Sequence, residues 1–189
     1  SQSSFSDVKI INSILWKNAG GSLKNVHKDK IAHSLLESND APIGIFDESI
    51  DIDNGRLGTP GSATYDSITD TYIIKGSGDD IWNESDAFHF LYKELKGNFV
   101  LKGKVSVQGE NHNHPWIKGV LLARHNLSPE SENVCTRIRP DRQFDMQWRS
   151  RHGSSSYSTN PNMSKHIPDN SWQRIVREKD LFKCEYSID

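Results

Sequence analysis

The sequence predicts an all-β chain folded as an antiparallel two-sheet sandwich, and three observations carry that prediction. Apolar residues recur at every second position rather than with a helical period: Phe88, Phe90 and Tyr92 alternate with Ala87, His89 and Leu91. Strand signals of this kind recur at short spacing, about nine in all, which is the rhythm of a sandwich or barrel. No stretch has the length and periodicity of a convincing long helix. The 34% hydrophobic content suits strands that bury only one face, and 189 residues are enough for one good core with an appendage.

Residues 1–7 are polar. Val8–Ile11 and Ser13–Trp16 are rich in β-formers, interrupted by Asn18, Gly20 and Gly21. Residues 40–62 are rich in Asp, Gly and Pro, so a boundary is expected there, dividing an N-terminal extension and linker over 1–56 from a sandwich over 57–189. Pro60-Gly61 turns the chain into a short strand at Ala63–Asp66, followed by Thr71–Lys75. Gly76-Ser77-Gly78-Asp79-Asp80 forms a tight polar corner before the alternating run at 87–92. Phe99–Gln108 reads as one long half-buried strand. Trp116–His125 is apolar on both faces in its middle, as a central strand should be. Val134–Arg139, Gln143–Arg149, Trp172–Glu178 and Leu181–Tyr186 complete the pattern, with a long Ser/Asn/Pro-rich loop at 150–170.

PGSATYD, TYIIKGSGDDIW and DAFHFLYKELKGNFVLKGKV, continued by KGVLLARHNLSPES, QFDMQWRSRHG and SWQRIVREKDLFKCEYSID, resemble a concanavalin-like (laminin G-like) β-sandwich module over about residues 57–189. The resemblance implies jelly-roll connectivity and a place in a secreted, multidomain bacterial protein that handles polysaccharides, extracellular or at the cell surface. It also implies a strand or turn beyond Asp189, so the chain reads as cut off there. NSILWKN and IAHSLLESND resemble the closing coil of a right-handed parallel β-helix, which would tether the module to an upstream domain. One coil cannot bury its own faces, and the competing expectation is that this segment adds strands to the sandwich.

Composition narrows the partners. A net charge of −2 makes no electrostatic case for nucleic acid, and no apolar run approaches the ~20 residues that span a bilayer. Cys135 and Cys184 are too few for a disulfide framework; two buried free thiols and a single bridge are the alternatives. Asn83, Asn126 and Asn162 each open a glycosylation triplet, a pattern that also arises often by chance.

For chemistry, the polar-face set is the leading candidate. Arg124, Arg137, Arg139, Gln147, Arg149 and Arg151 fall on or near strands expected to be neighbours, interleaved with Trp116, Trp148 and Tyr157. Sugars offer apolar ring faces for stacking and hydroxyls for planar donors, and arginine clamps carboxylate or sulfate bidentately. The expected ligand is therefore a polysaccharide or other glycan of acidic character, contacted by these residues and Trp116. If Phe144, Met146 and Trp148 face the core, Trp148 is excluded while Gln147 and Arg149 stay. The competing reading pairs these arginines with acids on an exposed face. Asp79, Asp80 and Asp86 around Trp82 could hold calcium, as could Asp47, Glu48, Asp51 and Asp53 in the linker. Against that, Asp79 or Asp80 would cap the turn, Trp82 would plug one end of the sandwich, and the linker acids would be solvated. His112 and His114 could share a metal on a strand, although their surroundings read as loop. No strand carries the closely spaced acid pair of a glucanase; Asp145, Glu178 and Glu185 lack a local partner. A binding module is thus expected over a glycoside hydrolase or lyase, with an unliganded adhesion module as the third possibility.

Overall fold

The computed structural model describes residues 8–15, 21–27, 46, 48–68, 71–109, 116–139, 141–159, 165–168 and 171–187, with 8–15, 21–27 and 106–109 as backbone. These residues form seventeen strands and no helix. In chain order they are β1 (Val8–Leu15), β2 (Gly21–His27), β3 (Glu48–Ile52), β4 (Ser62–Asp66), β5 (Thr71–Gly76), β6 (Ile81–Trp82), β7 (Ser85–Asp86), β8 (Phe88–Leu95) and β9 (Phe99–Lys104). There follow β10 (Ser106–Gly109), β11 (Lys118–Arg124), β12 (Asn133–Ile138), β13 (Gln143–Arg149), β14 (Tyr157–Ser158), β15 (Lys165–His166), β16 (Trp172–Glu178) and β17 (Leu181–Ser187).

One layer is an eight-stranded sheet ordered β14-β13-β12-β11-β1-β8-β3, with β15 also on β13. The facing layer consists of a four-stranded sheet, β10-β2-β5-β4, and a three-stranded sheet, β17-β16-β9. All the pairings within these sheets are antiparallel. The core lies between the layers: Leu91, Leu121, Ala123, Val134, Ile138 and Phe144 of the large sheet pack with Tyr72, Ile74, Phe99, Leu101 and Ile175 of the smaller two. This is the antiparallel sandwich that period two predicts. Cys135 is buried and Cys184 half-buried, and both are free thiols.

Two expectations change. The boundary at 56/57 does not separate an extension from a sandwich, because β1 lies in the middle of the large sheet between β11 and β8. In the same way β2 lies between β10 and β5, and β3 closes the edge on β8. Added strands, not a separate coil, describe residues 8–15 and 21–27. The run at 99–108 also divides. Phe99–Lys104 pairs with β16, while Ser106–Gly109 crosses to β2, with buried Val105 at the break. Continuous alternation in sequence gives no sign of a change of sheet, since both halves keep the same inward period.

The large sheet is buried on both faces. Phe88, Phe90, Tyr92, Val120, Leu122, Cys135, Ile52 and Ile81 form a second cluster on the side away from the main core. On that second face the register lines up three cross-strand rows: Arg124–Asn133–Arg149, Leu122–Cys135–Gln147 and Val120–Arg137–Asp145. The intervening residues, Ala123–Val134–Trp148 and Gly119–Ile138–Phe144, serve the main core.

Candidate functional site

What covers the polar rows is the corner 77–87. Ser77 anchors it, its hydroxyl donating to the Leu57 carbonyl at 2.5 Å and accepting from the Thr59 N–H at 2.8 Å. Gly78 has φ +154°, and a Cβ there would stand 1.8 Å from the Ala87 carbonyl oxygen, so only glycine fits between the two arms. Next, β6 and β7 make a hairpin with Trp82 opposite Ser85. Asn83 takes the left-handed φ of +49° that such a tight turn requires. The hairpin lies on the face bearing β11, β12 and β13.

At one end the cover is sealed. Asp86 accepts from Arg149 Nη2 at 2.5 Å and Nη1 at 3.0 Å, and Arg124 Nη2 stands 3.5 Å away. Arg149 also donates to the carbonyls of Trp82, Pro129 and Ser131 at 3.0–3.2 Å. Arg124 donates to the carbonyls of Asn126 and Ser128, and its guanidinium carbon lies 5.3 Å and 5.5 Å from the Phe88 and Phe90 ring centres. Both arginines and Asp86 are 0% exposed. Burial pushes the Asp86 carboxyl up from its ordinary value, and the guanidiniums pull it back.

The other end is open, and here lies a cavity of about 470 Å³. Its lining combines Trp82 and Trp116 with Lys118, Arg137 and Arg139, the carboxylates of Asp80 and Asp145, and the polar Asn83, Gln143, Ser158 and Thr159. Lys118 Nζ is bonded to Asp80, to the Ile81 carbonyl at 3.2 Å and to Gln147 Oε1 at 3.3 Å, and it sits 5.6 Å from the Trp82 ring centre. Burial pushes its ammonium below the ordinary lysine value, opposed by Asp80. Arg137 grips Asp145 bidentately, with Nε at 2.6 Å, and reaches Gln147 at 3.3 Å. Arg139 stacks over Trp116 at 5.1 Å and donates to Asp141 at 3.1 Å. Trp116 itself is 50% exposed.

The expected ligand set is therefore divided. Arg137, Arg139 and Trp116 meet at the cavity. Gln147 lies beneath it, fully buried, donating to the Ile81 carbonyl and holding Lys118 and Arg137. Arg124 and Arg149 are corrected from ligand contacts to braces: with no exposed surface, they are committed to Asp86 and backbone carbonyls. Arg151 is exposed in the turn after β13, outside the cavity lining. Trp148 packs on the main core and stacks on Tyr157 at 6.2 Å.

The calcium candidates do not converge. Asp79 pairs with Arg56 at 3.2 Å, Asp80 with Lys118, and Asp86 with the two buried arginines. In the linker, Asp51 holds His89 Nδ1 at 2.6 Å, Asp53 caps the N–H groups of Gly55, Arg56 and Leu57, and Glu48 meets the Tyr92 hydroxyl. Among the described residues no three His, Cys, Asp or Glu side chains are placed to hold a metal. Asp47, His112, His114 and Asn162 lie outside the described residues.

Trp82, Lys118, Asp80 and Asp145 are cavity residues that the sequence reading assigns elsewhere or passes over. Lys118 had a signal: it shares the parity of Val120, Leu122 and Arg124, so it had to point to the polar face. Comparison with family models, with curated proteins and with solved structures finds no match for this chain.

Proposed function

We propose that the chain is a non-catalytic carbohydrate-binding module of a secreted, polysaccharide-directed protein, and that the cavity at the open end of the polar face receives the sugar. The observation that carries this reading is the pairing of Trp82 and Trp116 with guanidinium, ammonium and carboxylate groups around one space of about 470 Å³. A pyranose has apolar faces for the indoles and hydroxyls for planar donors and acceptors, and a cavity of this size suits one or two rings. The resemblance to concanavalin-like modules, jelly-roll connectivity included, supports the same conclusion at the level of fold. Ion pairs set the floor geometry: Arg137–Asp145 and Lys118–Asp80 arrive pre-assembled, so little ordering is left for binding.

A second reading draws on a specific feature, for Asp80 and Asp145 both line the cavity and two carboxylates are what glycoside hydrolysis uses. Each is already held by a cation, which favours recognition over proton transfer. The third reading, an unliganded adhesion module, predicts arginines that are all paired and a face without a concavity. The pairing is seen for Arg124, Arg137, Arg139 and Arg149; the cavity separates it from the first.

The test is affinity electrophoresis against neutral, uronic and sulfated polysaccharides, with assays for new reducing or unsaturated ends. Retardation without new ends is expected, unchanged by EDTA because the acids around Trp82 are held by cations. In Trp116→Ala it should weaken about tenfold, equivalent to ~1.4 kcal/mol, with the melting temperature unmoved. New chain ends would make the protein an enzyme; retardation by no polysaccharide would leave the adhesion module.

A further inference from the structure

We infer that Arg139 selects for an anionic substituent, a carboxylate or sulfate carried by a sugar stacked on Trp116; this rests on the carbohydrate-binding reading above. The inference comes from sorting the cavity's three cations by the donors each has left. Lys118 has three N–H bonds, and Asp80, the Ile81 carbonyl and Gln147 take them. Arg137 is gripped along one whole edge by Asp145 and donates from the other side to Gln147. Each of these two cations is thus neutralised by its own cavity carboxylate.

Arg139 differs on every count. Its Nε is buried and has no hydrogen-bond partner among the described residues. Its carboxylate partner, Asp141, is outside the cavity lining, meets only Nη2 at 3.1 Å, and has a side chain 53% exposed, so water screens that pair. The guanidinium plane is held by the face of Trp116 at 5.1 Å, which aims its edge without consuming its donors. Nε itself has no accessible surface, so what Arg139 turns toward the cavity is its terminal nitrogens. An oxyanion meeting them makes charge-assisted hydrogen bonds, roughly twice as strong as those a neutral hydroxyl offers. The charge left over in the cavity, after the two internal pairs, is also that of Arg139.

The experiment compares polygalacturonate with its methyl ester, and dextran sulfate with dextran, by isothermal titration at fixed ionic strength. At least a tenfold preference for one charged partner over its neutral twin is expected, and which pair shows it separates carboxylate from sulfate. Arg139→Lys keeps the charge but removes the planar edge; it should erase the preference while leaving the melting temperature intact. Arg151→Lys, on an exposed arginine outside the cavity, should change nothing. Equal affinity for charged and neutral polymers, a preference that survives Arg139→Lys, or equal losses in the two variants would overturn the inference while leaving a glycan-binding module. If the wild-type chain binds none of these polymers, nor any in the panel above, the carbohydrate reading itself fails.

Discussion

The two ends of the polar face carry the same chemistry and do opposite things with it. At one end Arg149, Asp86 and Arg124 lie under the hairpin and the 126–132 loop, without exposed surface. At the other, Arg137, Arg139 and Lys118 border a cavity flanked by two indoles. Residue type does not distinguish them, for both ends set cations of β11, β12 and β13 against carboxylates. What distinguishes them is the cover: Trp82 is where the hairpin stops shielding the sheet and starts to wall a space. A charged residue on a strand therefore tells nothing of ligand binding until the layer above it is known.

The largest expected effect breaks the sealed end. Asp86→Ala leaves two buried guanidiniums without a carboxylate, which should cost roughly 3–5 kcal/mol, much of a typical domain's stability. The matching substitution at the open end, Asp80→Ala, should cost less, about 1.5 kcal/mol, because Lys118 keeps the Ile81 carbonyl and Gln147 and the cavity admits water. Urea denaturation of both variants gives the ratio directly; equal losses would mean that the two ends are not different in kind. Gly78→Ala attacks the cover itself. Its Cβ would meet backbone, which cannot swing aside, so a loss of roughly 3 kcal/mol is expected, with the hairpin displaced and Trp82 fluorescence altered.

The smallest effect lies further along the same face, on β8. The Glu48 carboxylate, bonded to the Tyr92 hydroxyl, pushes that phenol up to about 12 from 10.0. The folded protein holds this proton more tightly than the unfolded chain, so the bond contributes fully below pH 10 and is lost as pH rises through about 12. Ultraviolet titration of tyrosinate should show the Tyr92 phenol ionising late, and Glu48→Gln should return it toward 10.0.

Much of the sandwich was legible because alternation is a local property. Phe88–Tyr92, Val134–Ile138 and Gln143–Arg149 turn the faces that their parity assigns. The exclusion of Trp148 follows from the same counting. The site was less legible. Arg137 and Arg139 reach the cavity while Arg149, with the parity of Arg137's partner Asp145, does not. That division depends on where residues 77–87 fold back, a contact between segments far apart in sequence which no spacing rule encodes. The misplaced boundary has a related cause. Asp, Gly and Pro at 40–62 mark a loop, and a loop between strands of one sandwich has the composition of a linker between domains.

The position of β1 sets the order in which this protein can be made. Its neighbours β8 and β11 arise far downstream, so Lys9 must wait for Glu94 and then for Arg124 before its backbone is paired on both sides. Contacts this distant along the chain close slowly, because the loop entropy is lost before the pairing returns it. During synthesis the large sheet cannot be completed from its N-terminal end; β1 is made before both of its partners and is among the last secured. Until then β8 and β11 each present an unpaired edge, the surface on which strand proteins aggregate. Refolding should accordingly be slow for the size of the domain and sensitive to protein concentration.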